Sequence, residues 1–185
     1  MISLKTERLL ICDHKPEDLE HMHPLMSDPV AMYYLEDIWT YDIEDTRRNL
    51  EAAISEATSE KRVKYFFSMI EIKSNRYMGE IGFTTRLDTP EGKVVNLGYF
   101  ILPEFWGRGF TTEAASEVIR YAFEEAGVVK IETGCIKDNA ASEKVMQKLG
   151  MIKEAEFRNY VWHDNRLKDR VEYRLLKDEW LKTGS

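Results

Sequence analysis

Hydrophobic and polar positions follow patterns along the chain that predict its secondary structure. Residues 4–14, LKTERLLICDH, alternate and then become apolar, which predicts a strand. A proline and two acids come next, as is typical of the first turn of a helix, and helices are predicted over 16–28 and 42–60. Three strand-like runs follow, the first two joined by the turn residues Ser74 and Asn75. They predict an antiparallel meander over 63–73, 77–87 and 94–102.

The third of these runs is apolar at nearly every position. One face of the strand carries Leu97, Tyr99 and Ile101, and the other carries Phe100 and Leu102. A strand with two apolar faces belongs in the middle of a sheet that has helices above and below it. We therefore predict that this run is a central strand.

The second half of the chain alternates between helices and strands. Apolar residues recur at helical spacing in 111–127, which ends in a glycine. A strand over 128–136 precedes a helix over 138–150, which begins at Asp138 or Asn139. A hairpin is predicted near the end of the chain, and one loop is predicted before the central strand. The hairpin covers 157–176 and turns at Asp164 and Asn165, and the loop covers 86–95, where Pro90 and Gly92 mark a turn.

The order of these elements defines the fold class. Strands in a row, followed by strand, helix and hairpin, indicate an α+β (mixed α/β) protein and argue against a repeating parallel fold. At 185 residues the chain is long enough for one domain with a sizeable core and short for two, and we find no internal repeat. We therefore predict a single domain, 1–185.

Charge and the metal-binding residue types narrow the classes of partner. The formal net charge of −7 argues against a nucleic-acid-binding protein and favours a cationic partner. Cys12 and Cys135 lie in apolar strands without the spacing of a metal or redox pair, and His21 and His23 point to different sides of a helix, so we assign no metal. With no signal peptide and no apolar run that could span a bilayer, we expect a cytoplasmic protein without membrane contact.

The stretch 104–114, EFWGRGFTTEA, places two glycines around an arginine between the central strand and the next helix. Glycines let an anion approach the unpaired N–H groups at the start of a helix, and Arg108 adds a charge-assisted contact. A P-loop is excluded because no lysine follows until Lys130, and a dinucleotide fingerprint is poor because Thr112 replaces its third glycine. A tight turn without a ligand is the alternative.

Flanking motifs extend this pattern over nearly the whole chain. NLGYFILPEFWG precedes the helix, DNAASEKVMQKLGMIKEAEF follows it, and KTERLLI and RVEYRLLKDEW lie near the two ends. With these motifs in this order and spacing, the chain resembles the GNAT superfamily of acetyl-CoA-dependent N-acetyltransferases, in the branch that acetylates ribosomal-protein N-termini (RimJ/RimL-like). The resemblance implies a twisted, mostly antiparallel central sheet with a splayed central strand pair, flanked by helices.

The same resemblance implies a site for the cosubstrate acetyl-CoA. The central strand would pair with the pantetheine arm, the glycine turn would hold the pyrophosphate, and the helix over 138–150 would contact the pantetheine and the nucleotide end. The sequence departs from the usual pattern at Trp106 and Thr111, but neither removes a backbone N–H, and Trp106 could equally pack under the turn. The implied residues are Phe100, Ile101, Leu102, Gly107, Arg108, Gly109, Phe110, Thr111, Thr112, Asn139, Ser142, Lys144 and Lys148.

Acetyl transfer to an amine needs a neutral nitrogen and a proton for the departing thiolate. Many members of the superfamily use a tyrosine as the acid where this chain has Met146, so the resemblance to RimL-like enzymes points to Ser142, although a helix-start serine can simply bond the backbone. Relatives often carry a glutamate where this chain has Asn96, which could hold a water that carries the proton away. Glu80 is a substitute base, with a surface-facing strand residue as the other interpretation.

The lack of a strong general base affects which amine we expect as the acetyl acceptor. At pH 7 an α-amino group with a pKa of roughly 7.7 to 8.0 is neutral in about one molecule in six to ten, whereas a lysine amine near 10.4 is neutral in about one in a few thousand. A site without a strong base therefore favours a protein or peptide N-terminal α-amine, or another amine of low pKa. We expect this amine to attack the thioester directly, without an acetyl-enzyme.

An aromatic and acidic stretch, 33–45, lies between the first two predicted helices. In the family this region borders the acceptor opening, and aromatic faces and carboxylates both attract an ammonium group. Glu36, Asp37 and Trp39 are therefore candidate acceptor-binding residues. The alternative is an acidic, helix-capping loop whose aromatic residues belong to the core.

Three other functions are kept as alternatives. The acceptor could be a small amine such as a polyamine, an antibiotic or a metabolite. The chain could be a non-catalytic acetyl-CoA sensor, because Asn96 and Met146 replace the usual base and acid. A phosphate-binding domain for another nucleotide ranks lowest. A homodimer is considered as the assembly.

Overall fold

The computed structural model describes residues 1–182. Eight strands form a mostly antiparallel sheet in the order β1-β2-β3-β4-β5-β6-β8-β7, with one parallel pair, β5 and β6, and helices flank it. This architecture confirms the predicted fold class. The strands are β1 (Ser3–Lys5), β2 (Leu9–Asp13), β3 (Lys64–Glu71), β4 (Arg76–Thr89), β5 (Gly92–Ile101), β6 (Val128–Ile136), β7 (Ile152–His163) and β8 (Arg166–Leu176). The helices are α1 (Leu19–Met26), α2 (Ile43–Thr58), α3 (Phe110–Glu124), α4 (Ala140–Lys148) and α5 (Lys177–Lys182).

The chain forms two compact units, each built from two stretches of sequence. The first unit contains Met1–Thr84 and Gly98–Val118. The second unit contains Thr85–Leu97 and the described residues from Ile119 onward. The single domain therefore stays a prediction. Within residues 1–182 no helix is long and apolar enough to cross a bilayer, and the cytoplasmic location also stays a prediction.

Two local predictions were wrong. The single strand over 4–14 is a hairpin of β1 and β2, because the Thr6 hydroxyl accepts the Leu9 N–H at 2.9 Å and turns the chain between them. The loop over 86–95 consists mostly of the ends of β4 and β5, joined by a short turn at Pro90. Polar residues on exposed strand ends had obscured the strand pattern there.

The central position of β5 is confirmed, since it is the fifth of eight strands. Its two faces differ, however. Leu97 and Ile101 are buried, whereas Phe100 and Leu102 are half-buried. These two side chains pack against a core cluster of the first unit, formed by α1, α2 and neighbouring residues. The buried members of the cluster are Leu19, Met22, Leu25, Met26, Met32, Leu50 and Tyr77.

Strands β4 and β5 approach each other closely at Gly79. A Cβ atom at this position would lie 2.4 Å from the carbonyl oxygen of Phe100 and 2.7 Å from the Cα of Ile101. Both are backbone atoms, so they cannot move aside by changing a rotamer. Only glycine fits here, and the position of β5 in the first unit depends on it.

We predict that Gly79→Ala lowers the free energy of unfolding by at least about 2 kcal/mol, because overpacking against backbone forces β5 away from β4. For a chain of this length that shift corresponds to a melting temperature roughly 4 to 8 °C lower in thermal unfolding. Gly98→Ala on β5 is the matched control, because a Cβ there has no neighbour within 4 Å. Equal losses in the two variants would contradict the account.

Candidate functional site

The glycine turn lies between β5 and α3 in the first unit. A short 3₁₀ turn over Pro103–Phe105 leaves β5, and the backbone then passes through Gly107 and Gly109, with φ of +72° and +80°. Side chains rarely adopt such φ values, so both positions favour glycine. Space is also open at Gly107, where a Cβ would have no neighbour within 4 Å. The turn therefore presents backbone that a ligand can approach.

The first N–H groups of helix α3 have no hydrogen-bond acceptor within the helix. The N–H of Glu113 donates to the carbonyl of Gly109 at 3.1 Å, which places Phe110, Thr111 and Thr112 in the first turn. First-turn N–H groups have no acceptor within their own helix, and they carry the positive end of the helix dipole. This end of α3 is suited to a phosphate group.

Two arginines lie at the turn, and the sequence pattern identified one of them. Arg108 lies over the Phe110 ring, with 4.8 Å from Cζ to the ring centroid, and Arg8 lies 4.2 Å from the same centroid. Arg8 also donates to the Arg108 carbonyl at 3.2 Å and to the Glu113 carboxylate at 2.6 Å. Arg8 thus holds the turn in place, with its positive charge paired to the Glu113 carboxylate. Sequence reasoning missed it because 105 residues separate it from Glu113.

The Glu113 carboxylate at the start of α3 is stabilised in its ionised form. Burial alone would raise the pKa of Glu113, but hydrogen bonds from Thr6 and Arg8 and the charge of Arg8 lower it below its usual range. The Thr6 hydroxyl donates to Glu113 at 2.5 Å, and the Arg8 N–H donates to it at 3.0 Å. The start of α3 is therefore tied to the β1–β2 hairpin by an ionised carboxylate.

Trp106 has a different role from packing under the turn, and that interpretation was wrong. Its side chain is 49% exposed, and its indole N–H donates to the carbonyl of Ile101 at 2.9 Å. The N–H of the following residue, Leu102, donates to the carbonyl of Met78 on β4 at 2.9 Å. The backbone at the end of β5 is thus held on both sides, by its neighbour strand and by the indole.

The predicted residues of α4 lie in the second unit. Asn139 caps the helix, because its side-chain oxygen accepts the Ser142 N–H at 3.1 Å. Between the two predicted starting residues, the structure selects Asn139. Lys144 and Lys148 are exposed and one helical turn apart, whereas Met146 is completely buried in the core. Asn96 forms the last pair of the parallel ladder between β5 and β6, opposite Glu132.

Ser142 contacts the only cysteine of the second unit. Burial raises the pKa of the Cys135 thiol to about 11, and a hydrogen bond to the Ser142 side chain opposes this shift only in part. The thiol therefore carries its proton at neutral pH. Because the thiolate is the nucleophilic form of cysteine, Cys135 is poorly suited to form an acetyl-enzyme.

Glu80 is buried, so its interpretation as a surface-facing residue was wrong. All residues of β4 from Tyr77 to Phe83 are buried, so both faces of the strand are covered there. A bulge, at which Met69 pairs with Gly79 but Ile70 pairs with Tyr77, also places Tyr77 and Glu80 on one face. The Tyr77 hydroxyl donates to Glu80. The other Glu80 oxygen lies 2.8 Å from Nε2 of His14. Sequence alternation alone could not have revealed this contact.

His14 completes a buried charge network with these residues. Its Nδ1 lies 3.3 Å from Asp18, so both ring nitrogens face carboxylates. Burial would lower the pKa of His14, but the charge of Glu80 and the hydrogen bonds to Asp18 and Glu80 raise it to about 10. The hydrogen bond from His14 lowers the pKa of Asp18 despite its burial. Burial and Glu80 raise the pKa of Tyr77 well above its usual value. His14 is therefore an imidazolium at neutral pH.

The stretch 33–45 agrees only in part with the capping-loop alternative. Asp42 caps α2, since its carboxylate accepts the Asp45 N–H at 2.8 Å. Glu36 and Asp37 lie instead on an exposed 3₁₀ turn without a side-chain cap. Trp39 is half-buried against the core cluster, and its ring centroid is 5.4 Å from that of Tyr41, which is exposed. The aromatic residues therefore do not all belong to the core.

Within residues 1–182, no group of three or more histidines, cysteines and carboxylates is placed to hold a metal ion. The candidate residues form two sets. The first unit holds the glycine turn, the end of β5, Glu80 and the acidic 3₁₀ turn, and the second unit holds Asn96 and the α4 residues. Each unit therefore contains some of the residues that the family resemblance implies for acetyl-CoA.

Comparison with known proteins decides the family. The domain described as "Acetyltransferase (GNAT) domain" matches residues 8–152. The chain belongs to the GNAT acetyltransferase family. It is an acetyl-CoA-dependent N-acetyltransferase. It is similar to an uncharacterized N-acetyltransferase, p20, of Bacillus licheniformis, with 29% identity over 97% of this chain and 99% of that protein.

Two solved structures share the GNAT fold with this chain. One is RimL, a ribosomal L7/L12 alpha-N-protein acetyltransferase in complex with coenzyme A, with a TM-score of 0.83, 15% identity, and coverage of 96% of this chain and 99% of that one. The other is spermidine N-acetyltransferase from Vibrio cholerae in complex with CoA and spermine, with a TM-score of 0.82, 15% identity, and coverage of 95% and 99%. At this identity the likeness concerns the fold alone.

The His14 network predicts a specific pH dependence of stability. The pKa of His14 is raised on folding, so its contribution is complete below the unfolded value of about 6.5 and is lost as the pH rises toward about 10. We expect the free energy of unfolding to fall between pH 7 and 9 by up to about 1.4 kcal/mol per pH unit.

In urea titrations, His14→Gln should be less stable than the wild type at pH 7 and should change less between pH 7 and 9. His21→Gln is the control, because His21 is exposed. A wild-type stability that stays constant over this range would refute the role assigned to His14.

Proposed function

We propose that the glycine turn of this GNAT enzyme binds the pyrophosphate of acetyl-CoA. The observation that carries the proposal is the start of α3, where two glycines with positive φ, first-turn N–H groups and the cations Arg8 and Arg108 occur together. The proposed pyrophosphate contacts are Gly107, Arg108, Gly109, Phe110, Thr111 and Thr112, with Arg8 added.

The pantetheine arm is proposed to pair with the end of β5, where the family resemblance points to Phe100, Ile101 and Leu102. Within this segment the Leu102 N–H already donates to Met78, and the Phe100 carbonyl lies against Gly79. Backbone groups alternate in direction along a strand, so Ile101 is the residue that turns away from β4. The Ile101 carbonyl already accepts the Trp106 indole N–H, so we favour the Ile101 N–H for the contact with pantetheine.

In the second unit, residues of α4 are proposed to contact acetyl-CoA. Asn139 would contact the pantetheine while capping the helix, and Lys144 or Lys148 would contact the phosphate charge at the nucleotide end. Both lysines are exposed, so either ammonium is available to an anionic ligand. Thr112 and Ser142 are half-buried and would contribute hydroxyl groups.

For the chemistry we propose direct attack of an amine on the thioester, with Ser142 as the proton donor to the departing thiolate. A water held by Asn96 would accept the proton of the amine. Glu80 fits less well as the base, since both of its oxygens are engaged by Tyr77 and the His14 imidazolium. The protonated thiol of Cys135 also favours direct transfer over an acetyl-enzyme.

The acceptor is proposed to be a protein or peptide N-terminal α-amine, in the manner of the RimJ/RimL-like branch. Support comes from the modest base, which suits an amine of low pKa, and from the fold shared with RimL, a protein alpha-N-acetyltransferase. The second candidate is a small polyamine, favoured by the fold shared with the spermidine enzyme and by the net charge of −7.

The acidic 3₁₀ turn is proposed to gather the cationic acceptor. Glu36 and Asp37 are exposed at its surface, and Trp39 follows with a half-buried ring. Exposed carboxylates beside aromatic faces attract an ammonium group at long and short range. This arrangement suits either class of amine.

The acceptor is tested by thiol release from acetyl-CoA with a panel of peptides and polyamines. We expect peptides with a free α-amine to give kcat/KM at least about tenfold higher than spermidine, and N-terminally blocked peptides to be inactive. Higher activity with the polyamines would replace the first candidate with the second.

The double variant Glu36→Ala and Asp37→Ala should raise the acceptor KM without lowering kcat. The matched control removes two exposed acids elsewhere, Asp88→Ala and Glu91→Ala.

The mechanism is tested at α4. Ser142→Ala should lower kcat by about 100-fold or more if the hydroxyl is the acid, and Ser142→Cys should restore part of the rate because a thiol can donate a proton. Cys135→Ala should leave turnover within about threefold of the wild type. Loss of turnover in a folded Cys135→Ala variant would argue for an acetyl-enzyme.

A further inference from the structure

A carboxylate lies beside Asn96 where the parallel ladder between β5 and β6 ends. Asn96 of β5 pairs with Glu132 of β6, and this pair is the last of the ladder. Neighbouring strands lie roughly 4.8 Å apart, and residues that pair across them project to the same face of the sheet. The side chains of Asn96 and Glu132 are therefore neighbours on one face of the second unit.

This neighbour matters because an amide cannot accept a proton at neutral pH. The inference rests on the proposed function, in which a water held by Asn96 takes the proton of the attacking amine. A base can act directly or through one such water, so a carboxylate beside the amide can receive the proton. Glu132 thus brings to this place the carboxylate that relatives often carry at the position of Asn96 itself.

The contacts of Glu132 orient its carboxylate without enclosing it. Lys130 lies two residues away on the same face of β6, and its Nζ is 2.8 Å from Oε1 of Glu132. The Glu132 side chain is 37% exposed, so a water can reach Oε2. On β8 the residue opposite Glu132 is Arg174, whose guanidinium is engaged by Glu179. Lys130 therefore holds one oxygen, and Oε2 is the atom that can take a proton.

Two other carboxylates near this face fit the role less well. Glu172 pairs with Gly134, lies where a Cβ of that residue would be, and accepts a hydrogen bond from Arg170. Glu154 lies on β7, which is separated from β6 by β8. Glu132 is the carboxylate that pairs with Asn96 directly.

We propose that Glu132 is the general base of acetyl transfer and acts through the water at Asn96. The amine nitrogen bonds to the thioester carbon, and the carbon–sulfur bond breaks. The amine proton passes through the water to Oε2 of Glu132, while the departing thiolate takes the proton of Ser142. Proton exchange with solvent then returns both side chains to their starting states. Because a carboxylate is a modest base, this step still favours an acceptor amine of low pKa.

The test is steady-state kinetics of the full chain with the amine that gives the highest kcat/KM in the acceptor panel. Glu132→Gln should lower kcat by about 100-fold or more and leave the acetyl-CoA KM within about threefold, because a general base contributes roughly 100- to 10,000-fold. Glu154→Gln is the matched control, since Glu154 also contacts Lys130, at 3.3 Å. This control should keep kcat within about threefold of the wild type.

A second readout moves the carboxylate to the neighbouring strand. Adding Asn96→Glu to Glu132→Gln should raise kcat at least about tenfold above the single variant, because the new carboxylate lies on the same face beside the lost one. A purely structural role of Glu132 would not produce this recovery.

Three results would overturn the proposal in variants that keep the wild-type melting temperature. They are a kcat of Glu132→Gln within about threefold of the wild type, an equal loss in Glu154→Gln, and no recovery in the double variant. The comparison uses the most active amine of the panel, so an error in the proposed acceptor leaves it intact. Ser142→Ala reports separately on the proposed acid.

Discussion

The close approach of β4 and β5 is the constraint on which the first unit depends. Where a side chain would clash with the Phe100 carbonyl and the Ile101 Cα, the chain has Gly79. The Leu102 N–H then bonds Met78 across the same pair of strands. The end of β5 is therefore held in a fixed position, and the glycine turn follows it. A ligand that hydrogen-bonds to the backbone of β5 would bind to a strand end whose position is fixed by β4.

Charge is distributed differently in the two places where the first unit concentrates it. At the turn, Arg8 lies 2.6 Å from Glu113 and Arg108 lies 3.9 Å from Glu71, but both arginine side chains are partly exposed, so an anion can approach them from the solvent. Before α1, the buried imidazolium of His14 lies between the carboxylates of Asp18 and Glu80, which compensate its positive charge. The first arrangement suits the proposed anionic ligand, and the second links Glu80 on β4 to Asp18 at the start of α1.

The sequence pattern was sufficient for elements with strong periodicity and for turns with special residues. The helix over 138–150 and the hairpin turn at Asp164 and Asn165 follow from capping and left-handed turn residues that act over a few positions, and the structure confirms both. Arg8 at the glycine turn was not accessible in this way, because its partners are about a hundred residues away. The shared face of Tyr77 and Glu80 depends on a bulge, which changes the direction of side chains along a strand without a clear signature in its composition.

The state of Cys135 has a consequence for the chemical durability of this enzyme. With a pKa of about 11, only about one thiol in ten thousand is ionised at pH 7. Peroxides, electrophilic drugs and disulfides all react with the thiolate, so a side chain held in this state is a poor target for them. Cys135 is buried on β6 and hydrogen-bonded to the Ser142 side chain, so it adds no reactive thiolate beside α4. The protein can thus handle a thioester and release a thiol without exposing a competing thiolate of its own at that position.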